Sequence, residues 1–263
     1  MSDLLNLLLT AKVYDLGQPY FTGMPHHPAH PPFLYSLTKK HGDYVLPGGG
    51  SSASDALALG SHLGTHIDAL CHFSCGGKLF GGHEVAEMQS YSGGIQQHSV
   101  DTLAPIVRRG VLLDIAGHQN VEALPDDWEI TPAQMEAAAS AQGVAIKRGD
   151  VVLLRTGWGR FFEDSARFEA QLKGPGPAEQ GARWLSGHEI FAAGSDTIAF
   201  ERMPARSMTV HVHLLVESGI HIIECLNLEQ LAADRVYEFG FVAAPLKIRG
   251  GTGSPIRPIA LRS

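Results

Sequence analysis

Four ionisable side chains crowd one short stretch of this chain: His62, His66, Asp68 and His72, within SHLGTHIDALCHF at residues 61–73. Imidazole is the commonest metal ligand in proteins and titrates near neutrality. Two imidazoles with a carboxylate suit Zn²⁺ or Mn²⁺. Three protein ligands leave coordination positions open for water or substrate, as a catalytic site requires and a closed structural site does not. Four residues apart, His62 and His66 would share a helix face, yet Asp68 would sit about 240° of helical rotation from His62. If all three meet one ion the segment must bend, and Gly64 is the residue best able to allow it.

The elements that must position this cluster alternate along the chain. Short β-type runs occur at residues 12–16, 56–59, 111–115, 151–155, 220–223 and 236–242. Several are continuous apolar segments, the pattern of strands covered on both faces. Residues 132–142 predict a helix, with Thr131 as N-cap, Pro132 at the first helical position, Gln134 closing a capping box and Gly143 as the stop. Residues 178–193 and 209–217 are further helical segments. Strands interleaved with helices argue for an α/β or α+β domain, and no linker-like stretch divides residues 1–263. The proline-rich GMPHHPAHPP at 23–32 excludes helix and central strand and reads as a loop.

Composition narrows the function classes. The 263 residues are 44% hydrophobic and 18% charged with a net charge of −7, an ordinary globular balance without the basic footprint of a nucleic-acid or anionic-membrane binder. No apolar stretch approaches the roughly 18 residues of a membrane span. The leucine-rich run at 4–9 is short, interrupted by Asn6 and preceded by Asp3, unlike a signal peptide. Three cysteines, Cys71, Cys75 and Cys225, are expected to be reduced, and a cytoplasmic location is expected. HExxH, the G-x-S-x-G nucleophile elbow and the P-loop ending are all absent, and the glycines at 48–50 read as a turn. Of the other histidines, His26, His27, His30, His41, His98, His118 and His188 read as surface or hydrogen-bonded residues. Phe21, Phe33, Tyr35, Phe73 and Phe80 suit either an aromatic pocket or plain core.

The segment from His62 to His72 resembles the H-x-G-T-H-x-D-x-P-x-H signature of the metal-dependent cyclase family, which includes kynurenine formamidase and isatin hydrolase; Leu70 stands where that signature has proline. Further patches follow in order: YDLGQPYFTGMP at 14–25, RGVLLDI at 109–115, DVVLLRTGW at 150–158, GSDT at 194–197, and His213-Leu-Leu with Gly219-Ile and Glu224-Cys-Leu-Asn-Leu. The chain length and the stretch after the motif, HFSCGGKLFGG, resemble the isatin hydrolase-like branch more than the shorter formamidases.

The resemblance implies a swivelling β/β/α fold with mixed sheets and flanking helices, in homodimers or homotetramers. It implies His62, His66 and Asp68 as ligands of a first Mn²⁺ or Zn²⁺ ion. His213 and Glu224 are then ligands of a second ion, or hydrogen-bond the water or substrate instead. His72, just beyond the ligands, is the expected general acid/base, with Glu224 as the competing proton carrier. The expected activity is hydrolysis of a cyclic amide or aryl formamide, on a small and aromatic carbonyl substrate. The alternatives are a lactone substrate, a cyclisation or dehydration at the same site, or a metal-binding module without turnover.

Overall fold

The structure is a computed structural model that describes Leu5, residues 9–169 and residues 172–262. Most of the leucine-rich run at 4–9 lies outside the described residues. Among the described residues fifteen strands occur in chain order: β1 (Lys12–Asp15), β2 (Leu34–Lys39), β3 (Ser54–Ala58), β4 (His66–Asp68), β5 (Gln89–Ser90), β6 (Gly94–Ile95), β7 (Ile106–Asp114), β8 (Glu129–Ile130), β9 (Val151–Arg155), β10 (Gly176–Pro177), β11 (Ala192–Ser195), β12 (His221–Glu224), β13 (Glu238–Ala243), β14 (Gly253–Pro255) and β15 (Ile259–Arg262). Nine of them form one mixed sheet in the order β1-β15-β13-β7-β9-β11-β12-β4-β14. Its centre, β7-β9-β11-β12, is parallel, and antiparallel strands flank it on both sides.

The central strands are covered on both faces, as their unbroken apolar runs require. Val152 and Leu154 pack on one side with Met135 and Ala138 of the Pro132–Gln142 helix and with Leu185 of the Glu179–Gly187 helix. Val151 and Leu153 point the other way, toward Phe239, Phe241 and Leu231. The Pro132–Gln142 helix has the expected bounds, and Thr131 and Gln134 form the reciprocal capping box.

One expectation needs correction. Residues 178–193 are not one helix: the helix stops at Gly187, and Ala192–Ser195 is a central strand. Alanine at 192 and 193 and glycine at 194 carry weak strand propensity, so only the flanking parallel strands make this segment extended. The ligand motif bends, as the meeting of its members requires, and only its end, Leu70–His72, is a short helical turn. Its core, His66–Asp68, is the three-residue strand β4, inserted between β12 and β14. The β2–β3 hairpin stands away from the large sheet with its residues exposed on both faces. Among the described residues no helix is long and apolar enough to cross a membrane.

Candidate metal centre

Strand geometry replaces the helix face as the device that gathers the cluster. In β4 the side chains alternate, so His66 and Asp68 share one face while Ile67 enters the core on the other. Antiparallel pairing sets His66 directly opposite Glu224 of β12, which brings the carboxylate onto the same face. Just before β4 the chain turns at Gly64, whose φ of +58° supplies the expected bend. A Cβ there would lie 2.8 Å from both Met24 Cε and Tyr20 Cζ, so the turn excludes a side chain on steric grounds as well. Tyr20 donates its hydroxyl to the carbonyls of Leu63 (2.7 Å) and Thr65 (3.0 Å), clamping the turn from outside. Thr65, fully buried, accepts the Gln18 N–H at 2.8 Å and donates to the Cys225 carbonyl at 2.6 Å, tying the turn to the end of β12.

The bend brings His62 back over the site. Its Nδ1 lies 2.6 Å from Asp68 Oδ1 and its Nε2 lies 2.9 Å from Thr252 Oγ1. The ring rests against Gly253, where a Cβ would come within 2.6 Å of it. His66 Nδ1 bonds the Gly64 carbonyl at 2.8 Å, which leaves Nε2 facing Asp68 Oδ1 (3.5 Å) and Glu224 Oε2 (3.4 Å). His72 stacks on His62 with ring centroids 3.8 Å apart, and His30 approaches both rings from the 23–32 loop at 5.1 and 6.2 Å.

The expected position of His213 needs correction. Its Nε2 faces Ser186 Oγ at 2.8 Å and its Nδ1 faces Glu217 at 2.7 Å, against the Glu179–Gly187 helix rather than the cluster. The imidazole that reaches the cluster is His211, with Nε2 3.3 Å from Glu224 Oε1 and 3.9 Å from Asp68 Oδ2. Residues 209–218 are helical, and two helical steps turn a side chain by about 200°, so 211 and 213 face opposite ways. The helical segment expected at 209–217 was itself a usable signal that only one of the two could face the sheet. Glu201, with no sequence signal of its own, lies 3.0 Å from His211 Nδ1.

The electrostatics follow from burial of like and unlike charges together. Burial alone would lower the pKa of His66 and of His211. Their carboxylate neighbours outweigh it, Asp68 and Glu224 for His66 and Glu201 and Glu224 for His211, and lift each to about 10. Burial pushes Glu224 upward, but His211 and His66 outweigh it and bring it to about 2. The same balance holds Asp68 well below the usual carboxylate range. His72 has no hydrogen-bonded acid, so burial dominates and its pKa falls to about 3.

Two groups in this cluster are placed to hold a cation: His66, Asp68 and Glu224, and His62, Asp68 and His72, with Asp68 common to both. His66 Nε2 and Asp68 Oδ2 are buried and have no hydrogen-bond partner. A buried acceptor without a donor costs about 1–3 kcal/mol, more when charged. A divalent cation satisfies both atoms, so the residues present fit one. The cluster floors a cavity of about 430 Å³, walled on one side by Phe73, Ile198, Ala199, Met203, Ala205 and Met208 and on the other by the 23–32 loop.

A mixed-sheet α/β protein with a buried imidazole–carboxylate centre open to a small cavity has the build of a metalloenzyme. The chain belongs to the cyclase family, whose model matches residues 14–202. It is 30% identical over 213 residues to an isatin hydrolase of Roseibium aggregatum, covering 78% of this chain and 73% of that one. It is 25% identical over 250 residues to a kynurenine formamidase of Bacillus thuringiensis subsp. konkukian, covering 95% and 97% of the two chains. A solved structure described as a novel cyclase superposes with a TM-score of 0.89 at 30% identity, over 97% of this chain and 88% of that one.

Proposed function

We propose that the protein is a metal-dependent amide hydrolase that opens a cyclic amide or cleaves an aryl formamide by attack of water on the carbonyl. The observation that carries this reading is the pair of partnerless buried atoms, His66 Nε2 and Asp68 Oδ2, the first of them on a residue that lines the cavity and the second directly behind it. The cation they imply, Mn²⁺ or Zn²⁺, would be held by His66, Asp68 and Glu224, with His62 and His211 beside them. When bound, such an ion lowers the pKa of water toward 7 and polarises a carbonyl.

The chain's own residues divide the remaining work. His72 lines the cavity, stacked on His62 and partly exposed, so it is placed to take a proton from the attacking water and return it to the departing nitrogen. Glu224 is bound by the Phe200 N–H at 2.7 Å and by its imidazole neighbours, which fits it to ligation better than to carrying protons. The apolar wall receives the body of an aromatic substrate. No lysine or arginine lines the cavity. Apart from the metal centre itself, a substrate carboxylate finds no lysine or arginine to pair with, and this favours an uncharged cyclic amide of the isatin type over N-formylkynurenine, which carries an α-carboxylate. The protein acts, in this reading, as one domain over residues 1–263, in a homodimer or homotetramer. A cytoplasmic location agrees with its three free cysteines.

The test is a two-substrate assay on protein loaded with Mn²⁺ or with Zn²⁺. Ring-opening of isatin is expected to exceed release of formate from N-formylkynurenine at least tenfold in kcat/KM, and His72→Gln is expected to keep its metal while losing most of kcat. Turnover of neither substrate by metal-loaded protein would refute the reading.

A further inference from the structure

The dipeptide Phe200–Glu201 grips both late-sequence members of the centre at once. The Phe200 backbone N–H donates to Glu224 Oε1 at 2.7 Å. Glu201, 2% exposed, sets Oε1 3.0 Å from His211 Nδ1 and 3.2 Å from the His211 backbone N–H; its Oε2 accepts the Val210 N–H at 3.4 Å. A carboxylate only accepts hydrogen bonds when ionised. Facing it, His211 must carry a proton on Nδ1, so the proton that a cation displaces is the one on Nε2, the nitrogen directed at Glu224 and Asp68.

We infer that Glu201 is a positioning residue for the metal centre: it fixes the tautomer and the ring orientation of His211 so that Nε2 is presented as a ligand. The inference rests on the metal-centre reading above. A carboxylate behind a ligating imidazole orients it and raises its basicity, and loss of such a partner typically costs 10–100-fold in metal affinity. The same loop also supplies Met203, Ala205 and Met208 to the cavity wall.

The rival role for Glu201 is purely structural, as a cap on the two backbone N–H groups at the start of the 209–218 helix. Calorimetric titration of chelator-stripped protein with Mn²⁺ separates the two. Wild type is expected to bind, Glu201→Gln to bind 10–100-fold more weakly with unchanged stoichiometry, and the metal-free unfolding midpoint to move little. In a His211→Ala background, Glu201→Gln is expected to add less than twofold. Equal affinity of Glu201→Gln and wild type overturns the inference, and so does a loss that persists in full without His211. Failure of wild type to bind would instead remove the metal-centre reading itself.

An imidazole ¹H–¹⁵N correlation spectrum of Zn²⁺-loaded wild type, assigned by the signal lost in His211→Ala, needs no Glu201 variant. A proton on His211 Nδ1 is expected, and a proton on Nε2 overturns the inference.

Discussion

Thr65→Val is the most direct probe of how the ligand turn is held. The substitution keeps the shape of a side chain that is fully buried and removes only its hydroxyl. That hydroxyl accepts the Gln18 N–H at 2.8 Å and donates to the Cys225 carbonyl at 2.6 Å. Valine leaves a buried donor and a buried acceptor unpaired, each worth about 1–3 kcal/mol. The expected loss is about 3 kcal/mol, equivalent to roughly 6–12 °C in Tm for a chain of this size. Thr65 precedes His66, and Cys225 follows Glu224, so the hydroxyl also holds β4 and β12 in register where the two ligands face each other. The loss is therefore expected to be larger in metal-loaded than in chelator-treated protein, the difference reporting weakened binding. Urea unfolding of wild type and Thr65→Val in both states measures it. A destabilisation below about 1 kcal/mol in both would show that water or backbone movement repairs the turn, and would refute the argument.

Three further outcomes follow from the same geometry. His211→Ala is expected to purify with little bound metal while His213→Ala retains it; elemental analysis per chain decides, and the reverse pattern would restore the sequence assignment. Gly64→Ala combines a left-handed φ with contacts at 2.8 Å, so it is expected to destabilise by about 2–4 kcal/mol in denaturant unfolding. The pKa values of His66 and His211, lifted to about 10, set a pH dependence. Groups raised in the folded state contribute stability that is complete below the unfolded value near 6.5 and is lost as pH climbs through about 10. Metal binding needs both imidazoles neutral, so uptake must displace their protons and affinity must rise from pH 6 to 9. Titration in buffers of different ionisation heat is expected to detect proton release near neutral pH, and none would contradict those shifts.

The sequence made the centre legible to different depths. Spacing alone identified His62, His66, Asp68 and His72, because four ionisable groups around a glycine are rarely accidental. The helix at 132–142 was readable from its cap chemistry, which is local. The strand character of His66–Asp68 was not readable: three residues carry no period, and β4 exists only because β12 and β14 pair with it. The segment at 192–195 failed for the same reason. Motif matching selected His213, whereas helical phase and contact with Glu201 select His211. Glu201 is one of many isolated acidic residues until the fold carries it beneath the 209–218 helix.

The place of β4 between β12 and β14 also sets an order of assembly during synthesis. His62, His66 and Asp68 are synthesised well before Glu224 and before the strand that covers their far edge, Gly253–Pro255. A nascent chain thus carries three metal-seeking side chains whose geometry is not enforced until β12 and β14 have emerged. Selection among competing ions by geometry therefore waits until Glu224 is in place, and a chain stalled before Glu224 offers those earlier residues to any cation that imidazole and carboxylate accept.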